Sequence, residues 1–320
     1  MRIASALVSS AILALCTLVA PAYAEVVEPT DKTPPVTGWR AETVIVDLEH
    51  PWALAWLPDG AMLITERSGR MSVFNPDGSV RVESVPGLPR IAEIGQGGLM
   101  DVSLHPDFAN NRLVYFTYAE GNREANRTVL ARAEFDGQQL SNVETLFHVS
   151  QWKPGGQHFG SRILWLPDGT LLVSVGDGGN PPVTVEGELS RYKAQKLSSH
   201  LGKTVRLNAD GTVPSDNPFV GREGALPEIW TYGHRNIQGM AIEPESGRIW
   251  ATEHGARGGD ELNLLRKGEN YGWHLVTYSR EYAGGKISDR RTAPGMVDPL
   301  VVWTPCIAPS GLAFYTGDAF

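Results

Sequence analysis

The sequence predicts an all-β fold, a β-propeller, on three observations. Apolar runs are only four to six residues long, and 35 glycines and 22 prolines are spread along the chain rather than clustered, the mark of many short strands joined by turns. No stretch sustains a helical period. One unit also recurs: an apolar run, a proline-centred turn, then a second apolar run. Its prolines fall at Pro58, Pro106, Pro167 and Pro244, so successive units lie 48, 61 and 77 residues apart. Each interval has room for a four-stranded sheet plus a loop, as a propeller blade requires. A β-sandwich lacks periods of this length, and a β-helix repeats much faster.

Taken in order, residues 1–24 read as a secretory signal peptide. Arg2 gives a positive start, Ile3 to Ala20 is apolar, and Ala22-Tyr23-Ala24 is a small-residue cleavage site before Glu25. The expectation is export to the periplasm, with no membrane insertion after cleavage. Residues 25–39 are polar and proline-rich, an extended lead-in. The first unit pairs Leu54–Leu57 with Met62–Thr65 across Pro58-Asp59-Gly60, and the second pairs Val102–Leu104 with Leu113–Phe116. The third pairs Ile163–Leu166 with Leu171–Ser174, and the fourth pairs Met240–Ile242 with Arg248–Thr252. Between the third and fourth lies an insertion, roughly residues 181–224, whose middle (Glu188 to His200) is read as a short helix. Gly311 to Tyr315 resembles the start of another copy. Residues 40–320 are therefore expected to form one propeller domain.

Composition excludes several functions. A formal net charge of −8 argues against nucleic acid or an anionic membrane as partner. Once residues 1–24 are removed, Cys306 is the one remaining thiol, so no intramolecular disulfide can form. There is no Gly-x-Ser-x-Gly elbow, no dinucleotide-binding glycine fingerprint, no P-loop and no His/Cys cluster with zinc spacing.

Polar residues flanked by glycine recur just ahead of the units. Gly95-Gln96-Gly97-Gly98 precedes the second, the stretch from Gly155 to Arg162 the third, and Gly233-His234-Arg235-Asn236 the fourth. Any one of these could be a structural turn; three in phase favour a site assembled around a central channel. An imidazole such as His158 can act as a general base near neutral pH. Arg235 can hold a carboxylate or a developing oxyanion. Gln96, Gln157 and Asn236 carry the paired donors and acceptors that read sugar hydroxyls. A second polar stretch runs from Glu253 to Glu261. Its Gly255 and Ala256 can turn carbonyls toward a hard cation, and Asp260 and Glu261 can add carboxylate oxygens; equally, the two acids can pair with Arg257 or Lys267 at the surface. Redox chemistry with such side chains needs a bound cofactor.

The stretches GQGGLMDVSLHPDF, GGQHFGSRILWLPDG, AQKLSSHLGKTVRLNADG, PEIWTYGHRNIQGMA and EHGARGGDELNLLRKGENYGW together resemble the soluble pyrroloquinoline quinone (PQQ)-dependent aldose sugar dehydrogenases of the glucose/sorbosone dehydrogenase family. The resemblance runs from about residue 40 to the last residue. It implies a six-bladed propeller whose last blade is incomplete in this chain, because relatives continue beyond the motif resembling Trp303 to Ser310. It also implies PQQ and Ca²⁺ as cofactors, with oxidation of an aldose at C1 to the lactone and a respiratory electron acceptor. In that reading His158 is the general base, Arg235 and Asn236 contact the quinone oxygens, and Gln96 and Gln157 contact substrate. The carbonyls of Gly255 and Ala256 would ligate the catalytic Ca²⁺, and Glu261 with the Tyr271 carbonyl a second Ca²⁺; relatives often carry proline where this chain has Ala256. A monomer and a homodimer both remain open. The competing functions are a Ca²⁺-dependent lactonase-type propeller and a non-catalytic propeller that binds glycans or proteins.

Overall fold

The computed structural model describes residues 26–29 and 38–318, so the proposed signal peptide lies outside the described residues. The strands assemble into four antiparallel four-stranded sheets. The first holds β1 (Pro51–Trp56), β2 (Met62–Glu66), β3 (Arg70–Phe74) and β4 (Val80–Val82). The second holds β5 (Leu99–Leu104), β6 (Leu113–Gly121), β7 (Asn126–Phe135) and β8 (Leu140–His148), with the one-turn helix α1 (Phe108–Asn111) between β5 and β6. The third is built from β9 (Ile163–Trp165), β10 (Leu171–Val175), β13 (Lys203–Leu207) and β14 (Ile229–Tyr232). Its insertion carries a hairpin of β11 (Thr184–Val185) and β12 (Glu188–Leu189), then α2 (Ser190–Lys193). The fourth holds β15 (Ile237–Ile242), β16 (Ile249–Glu253), β17 (Asp260–Leu265) and β18 (Val301–Trp303).

Each proline of the repeat sits in the turn between the first and second strands of one sheet, which is why the repeat and the sheets share their number. The same turn chemistry recurs. In Leu57-Pro58-Asp59-Gly60-Ala61 the Leu57 N–H donates to Ala61 O (2.8 Å), the Asp59 carboxylate accepts from Ala61 N–H (3.1 Å), and Gly60 takes φ +83°. Leu166 to Thr170 repeats it, with Leu166 N–H to Thr170 O at 2.8 Å, Thr170 N–H to Asp168 Oδ1 at 3.0 Å and Gly169 at φ +81°. Proline presets the first turn residue, aspartate caps the turn, and glycine accepts the left-handed position.

Strand alternation stacks the sheets into a continuous core. Along β6, Val114 and Phe116 face the first sheet and join Leu63, Met71 and Val73, whereas Tyr115 faces the third and joins Leu171, Val173 and Val205. The β10 strand does the same one step further: Leu171 and Val173 look back, and Leu172 meets Trp230, Ile237 and Met240 toward the fourth sheet. A strand buried on both faces reads as a near-continuous apolar run, as LLVSV does, broken only by Ser174.

The six-blade expectation is corrected. The described residues make four blades, and the last one, β15 to β18, has all its strands. Six came with the family resemblance; the proline repeat itself occurs four times, and each copy seeds one sheet. Gly311 to Tyr315 forms no strand among the described residues. The expected helix over 188–200 shrinks to the single turn of α2, because β12 takes its first two residues. From the lead-in, Val27 pairs in parallel with Val301 along the outer edge of the fourth blade, its N–H donating to Leu300 O (3.0 Å).

Candidate active site

The first strands of the second, third and fourth blades, β5, β9 and β15, are each preceded by one of the glycine-flanked polar stretches, so packing the blades side by side brings these stretches together. His158 is the hub. It is 5 % exposed and holds a left-handed backbone (φ +51°) unusual for a residue with a Cβ. Its N–H donates to Gln96 Oε1 (2.9 Å), and its Nδ1 lies 2.6 Å from Asp177 Oδ1. The other oxygen of Asp177 accepts from the Trp273 indole N–H (2.7 Å), and the Asp177 N–H donates to Arg235 O (2.8 Å). A carboxylate on Nδ1 fixes the tautomer, placing the proton there and the lone pair on Nε2. Burial pushes the His158 imidazole below its ordinary value, and the Arg235 guanidinium acts in the same direction. Burial alone would raise Asp177, but His158 and Arg235 outweigh it and hold the carboxyl below its usual range. The pair is therefore a neutral imidazole on an ionised carboxylate at neutral pH.

Arg235 and Asn236 are positioned from beneath by Glu253, at the end of β16. Its Oε1 accepts from the backbone N–H of Arg235 and from that of Asn236 (3.2 Å), while Oε2 lies 2.9 Å from His234 Nδ1. His234 is fully buried and stacks on Tyr271 (centroids 4.6 Å apart), so this histidine belongs to the scaffold. Asn236 Oδ1 accepts from Gly160 N–H (3.1 Å) and leaves the amide nitrogen as its remaining donor. Arg235 Nη1 donates to His254 O (2.9 Å), whereas Nε and Nη2, though buried, meet no acceptor. Gln157 accepts from Asn180 N–H (2.9 Å). Two cavities flank this ring of residues. One of about 210 Å³ is lined by Trp52, Gln96, Phe159, Asn236 and His254. One of about 270 Å³ is lined by Gln157 and Arg123 together with glycines such as Gly95 and Gly179, which let a ligand approach the backbone closely.

The second polar stretch folds differently from either surface alternative. Asp260 is spent on backbone, accepting from Gly255 N–H (2.8 Å), Ile307 N–H (2.8 Å) and Ala308 N–H (2.7 Å). Lys267 pairs with Asp216 instead (3.2 Å). Gly255, Glu253, Glu261 and Tyr271 line one cavity of about 10 Å³, the volume of a single ion or water. Burial, and then the Glu253 carboxylate beside it, push the Glu261 carboxyl up to about 8. Two carboxyls crowded on a small cavity, with backbone oxygen nearby, are the donor chemistry of a hard cation. Gly255, expected at the catalytic calcium, and Glu261 and Tyr271, expected at a second calcium, all line this cavity. Ala256 does not line it, and its carbonyl accepts from Cys306 Sγ (3.4 Å). No group of three or more His, Cys, Asp or Glu side chains forms a metal site among the described residues, so a cation here would need backbone oxygens.

Sequence reasoning missed Asp177, Trp273 and Glu253 as site residues. Asp177 sits in a Gly-Asp-Gly-Gly run that reads as a turn. Only the fold sets it against a histidine 19 positions earlier and a tryptophan 96 positions later.

Fold and site define a propeller whose His158–Asp177 pair is held within the third blade, just ahead of β9 and just after β10, and is backed by Trp273 from the fourth. The glucose/sorbosone dehydrogenase family matches residues 48–320, and the chain belongs to it. Relatives include a Synechocystis sp. protein, 56 % identical over 288 residues (87 % of this chain, 70 % of that one). Aldose sugar dehydrogenase YliI of Escherichia coli is 39 % identical over 279 residues (85 % of this chain, 72 % of that one). Among solved structures, the apo aldose sugar dehydrogenase of E. coli superposes with TM-score 0.81 at 37 % identity, covering 87 % of this chain and 79 % of that one. The PQQ-bound aldose sugar dehydrogenase of Streptomyces coelicolor gives 0.65 at 31 % identity, covering 85 % and 74 %. This chain is an oxidoreductase of sugar CH–OH groups.

Proposed function

We propose that this protein oxidises aldose sugars at C1 to the lactone, using PQQ and Ca²⁺, and that residues 1–24 direct it to the periplasm with 40–320 as the catalytic domain. The observation that carries the reading is the His158–Asp177 pair beside the half-satisfied Arg235. The buried donors left on Arg235 fit the electron-rich oxygens and carboxylates of PQQ. When bound, PQQ supplies the hydride acceptor that no side chain here can provide.

The chain's own residues then divide the work. His158 Nε2 takes the proton of the anomeric hydroxyl, and Asp177 stabilises the imidazolium that forms, as a carboxylate behind a base does. Arg235 lowers the energy of negative charge developing on a neighbouring oxygen, and burial strengthens that effect. Asn236 offers its amide N–H to the same region. Gln96 and Gln157, each tied down by one backbone N–H, present their remaining amide groups to the sugar. Gly255, Glu261 and Tyr271 would hold Ca²⁺, which offsets the two crowded carboxyls. Adding Ca²⁺ should raise the thermal midpoint by several degrees and EDTA should reverse it, as for any ligand that binds only the folded state.

The test is reconstitution of the chain with PQQ and Ca²⁺, followed by titration with an aldose while the cofactor absorbance is recorded. Sugar-dependent bleaching is expected. PQQ binding without bleaching by any aldose would overturn the reaction. Lactone hydrolysis without PQQ would establish the lactonase reading in its place.

A further inference from the structure

Around the Trp273 indole the fold buries more hydrogen-bond donors than it satisfies. Arg191 and Arg235 both flank the ring, their Cζ atoms 5.6 and 5.5 Å from its centroid. Arg191 Nε, Arg235 Nε and Nη2, Asn180 Nδ2 and Ser190 Oγ are all buried without a partner. The four residues are exposed by only 6 %, 3 %, 8 % and 0 % respectively. They belong to one neighbourhood. Asn180 lies three residues beyond Asp177 and is fastened to Gln157, and the Ser190 hydroxyl comes within 3.4 Å of the point a Cβ on Gly178 would occupy. Arg191 O lies 3.1 Å from His274 Nδ1, next to Trp273. Glu281 takes Arg191 Nη1 (2.6 Å) and Nη2 (3.3 Å), so the guanidinium is anchored by its outer edge and keeps Nε unused.

A buried donor without an acceptor is costly, and native proteins keep only a few. Three such atoms on the two guanidinium groups flanking one indole, with two more on Asn180 and Ser190 in the segments beside Asp177, match an acceptor-rich anion. We propose that Arg191, with Asn180 and Ser190, forms a carboxylate-binding wall, supplied by the insertion of the third blade, that grips a planar polycarboxylate. Given the PQQ reading, on which this identification rests, the occupant is one of that cofactor's three carboxylates. Guanidinium–carboxylate contacts are strong and directional because both partners are charged and planar. Lysine at 191 would keep the charge and lose the fork.

The experiment measures binding, not turnover. Quenching of tryptophan fluorescence by PQQ in the presence of Ca²⁺ gives a Kd for the wild-type chain, Arg191→Gln, Arg191→Lys and Glu281→Gln; benzene-1,2,4-tricarboxylate is titrated in parallel. Arg191→Gln should raise the PQQ Kd about 10- to 100-fold, in the range of a lost charge-assisted contact, with Arg191→Lys intermediate and Glu281→Gln within about threefold of wild type. The tricarboxylate should bind wild type and not Arg191→Gln. Equal PQQ affinity in wild type and Arg191→Gln overturns the wall; if Arg191→Gln does not fold, unchanged affinity in Arg191→Lys overturns it. Should wild type fail to bind PQQ, the cofactor reading falls, and the tricarboxylate then decides the wall separately: binding that Arg191→Lys weakens supports it, and no binding ends it.

Discussion

At the scale of single residues the site rests on protonation. Asp177 raises the His158 pKa through its charge and hydrogen bond, while burial and Arg235 lower it, and lowering wins. Removing the carboxylate must therefore lower that pKa further. Asp177→Asn should shift the acid limb of the kcat–pH profile to lower pH and reduce turnover roughly 10²- to 10⁴-fold, because the base is weaker and its tautomer no longer fixed. Unchanged kcat with an unmoved limb would show that the pair is structural. Lys153 offers a second test. It is 2 % exposed, donates to Asn126 Oδ1 (2.9 Å), sits over the Phe159 ring (4.0 Å), and burial lowers its pKa to about 7. An unfolded lysine titrates near its ordinary 10.5. Between the two values the unfolded chain binds more protons, so this residue makes stability rise with pH from about 7 to about 10. Urea melts of wild type and Lys153→Met across that window should converge from a large difference at pH 7; parallel curves would contradict the assignment.

At the scale of elements, much was legible. The proline turns and the apolar runs on either side of them located the first two strands of every blade, because turn chemistry and alternation are local. Gly169→Ala should cost about 1 kcal/mol by chemical denaturation. A Cβ there meets nothing within 4 Å, so the cost is that of φ +81° alone. Leu172→Ala, fully buried between the third and fourth blades, should cost about 2–5 kcal/mol. A reversed order would mean the blades are not held by this core. The phasing of the glycine-flanked stretches also pointed to His158, Arg235 and Asn236, which lie in the segments leading into β9 and β15. What stayed hidden is long-range. Glu253 ends a strand as an ordinary acid until the fold turns it under the backbone of Arg235 and Asn236. Asp260 looks like a ligand until three backbone N–H groups claim it. The insertion showed helical composition but keeps one turn, because its residues are occupied in gripping the sheet: Lys203 Nζ on β13 donates to Lys193 O, Ala194 O and Leu201 O at 2.8–2.9 Å.

At the scale of the molecule, the described residues make four blades where the family resemblance implied six. Four proline units gave four sheets; six was carried over from the resemblance, and the repeat in the chain itself was the better guide. The family, by contrast, was readable from motifs because the site is assembled from short stretches kept in order around the ring. We propose that these blades present one proton acceptor, His158, for sugar oxidation. The most direct test is the single-turnover rate of aldose oxidation by the PQQ- and Ca²⁺-loaded chain, wild type against His158→Ala, with PQQ affinity measured on both. A fall of about 10²- to 10⁴-fold at similar PQQ affinity is the predicted result. A near-normal rate in the variant would contradict the account.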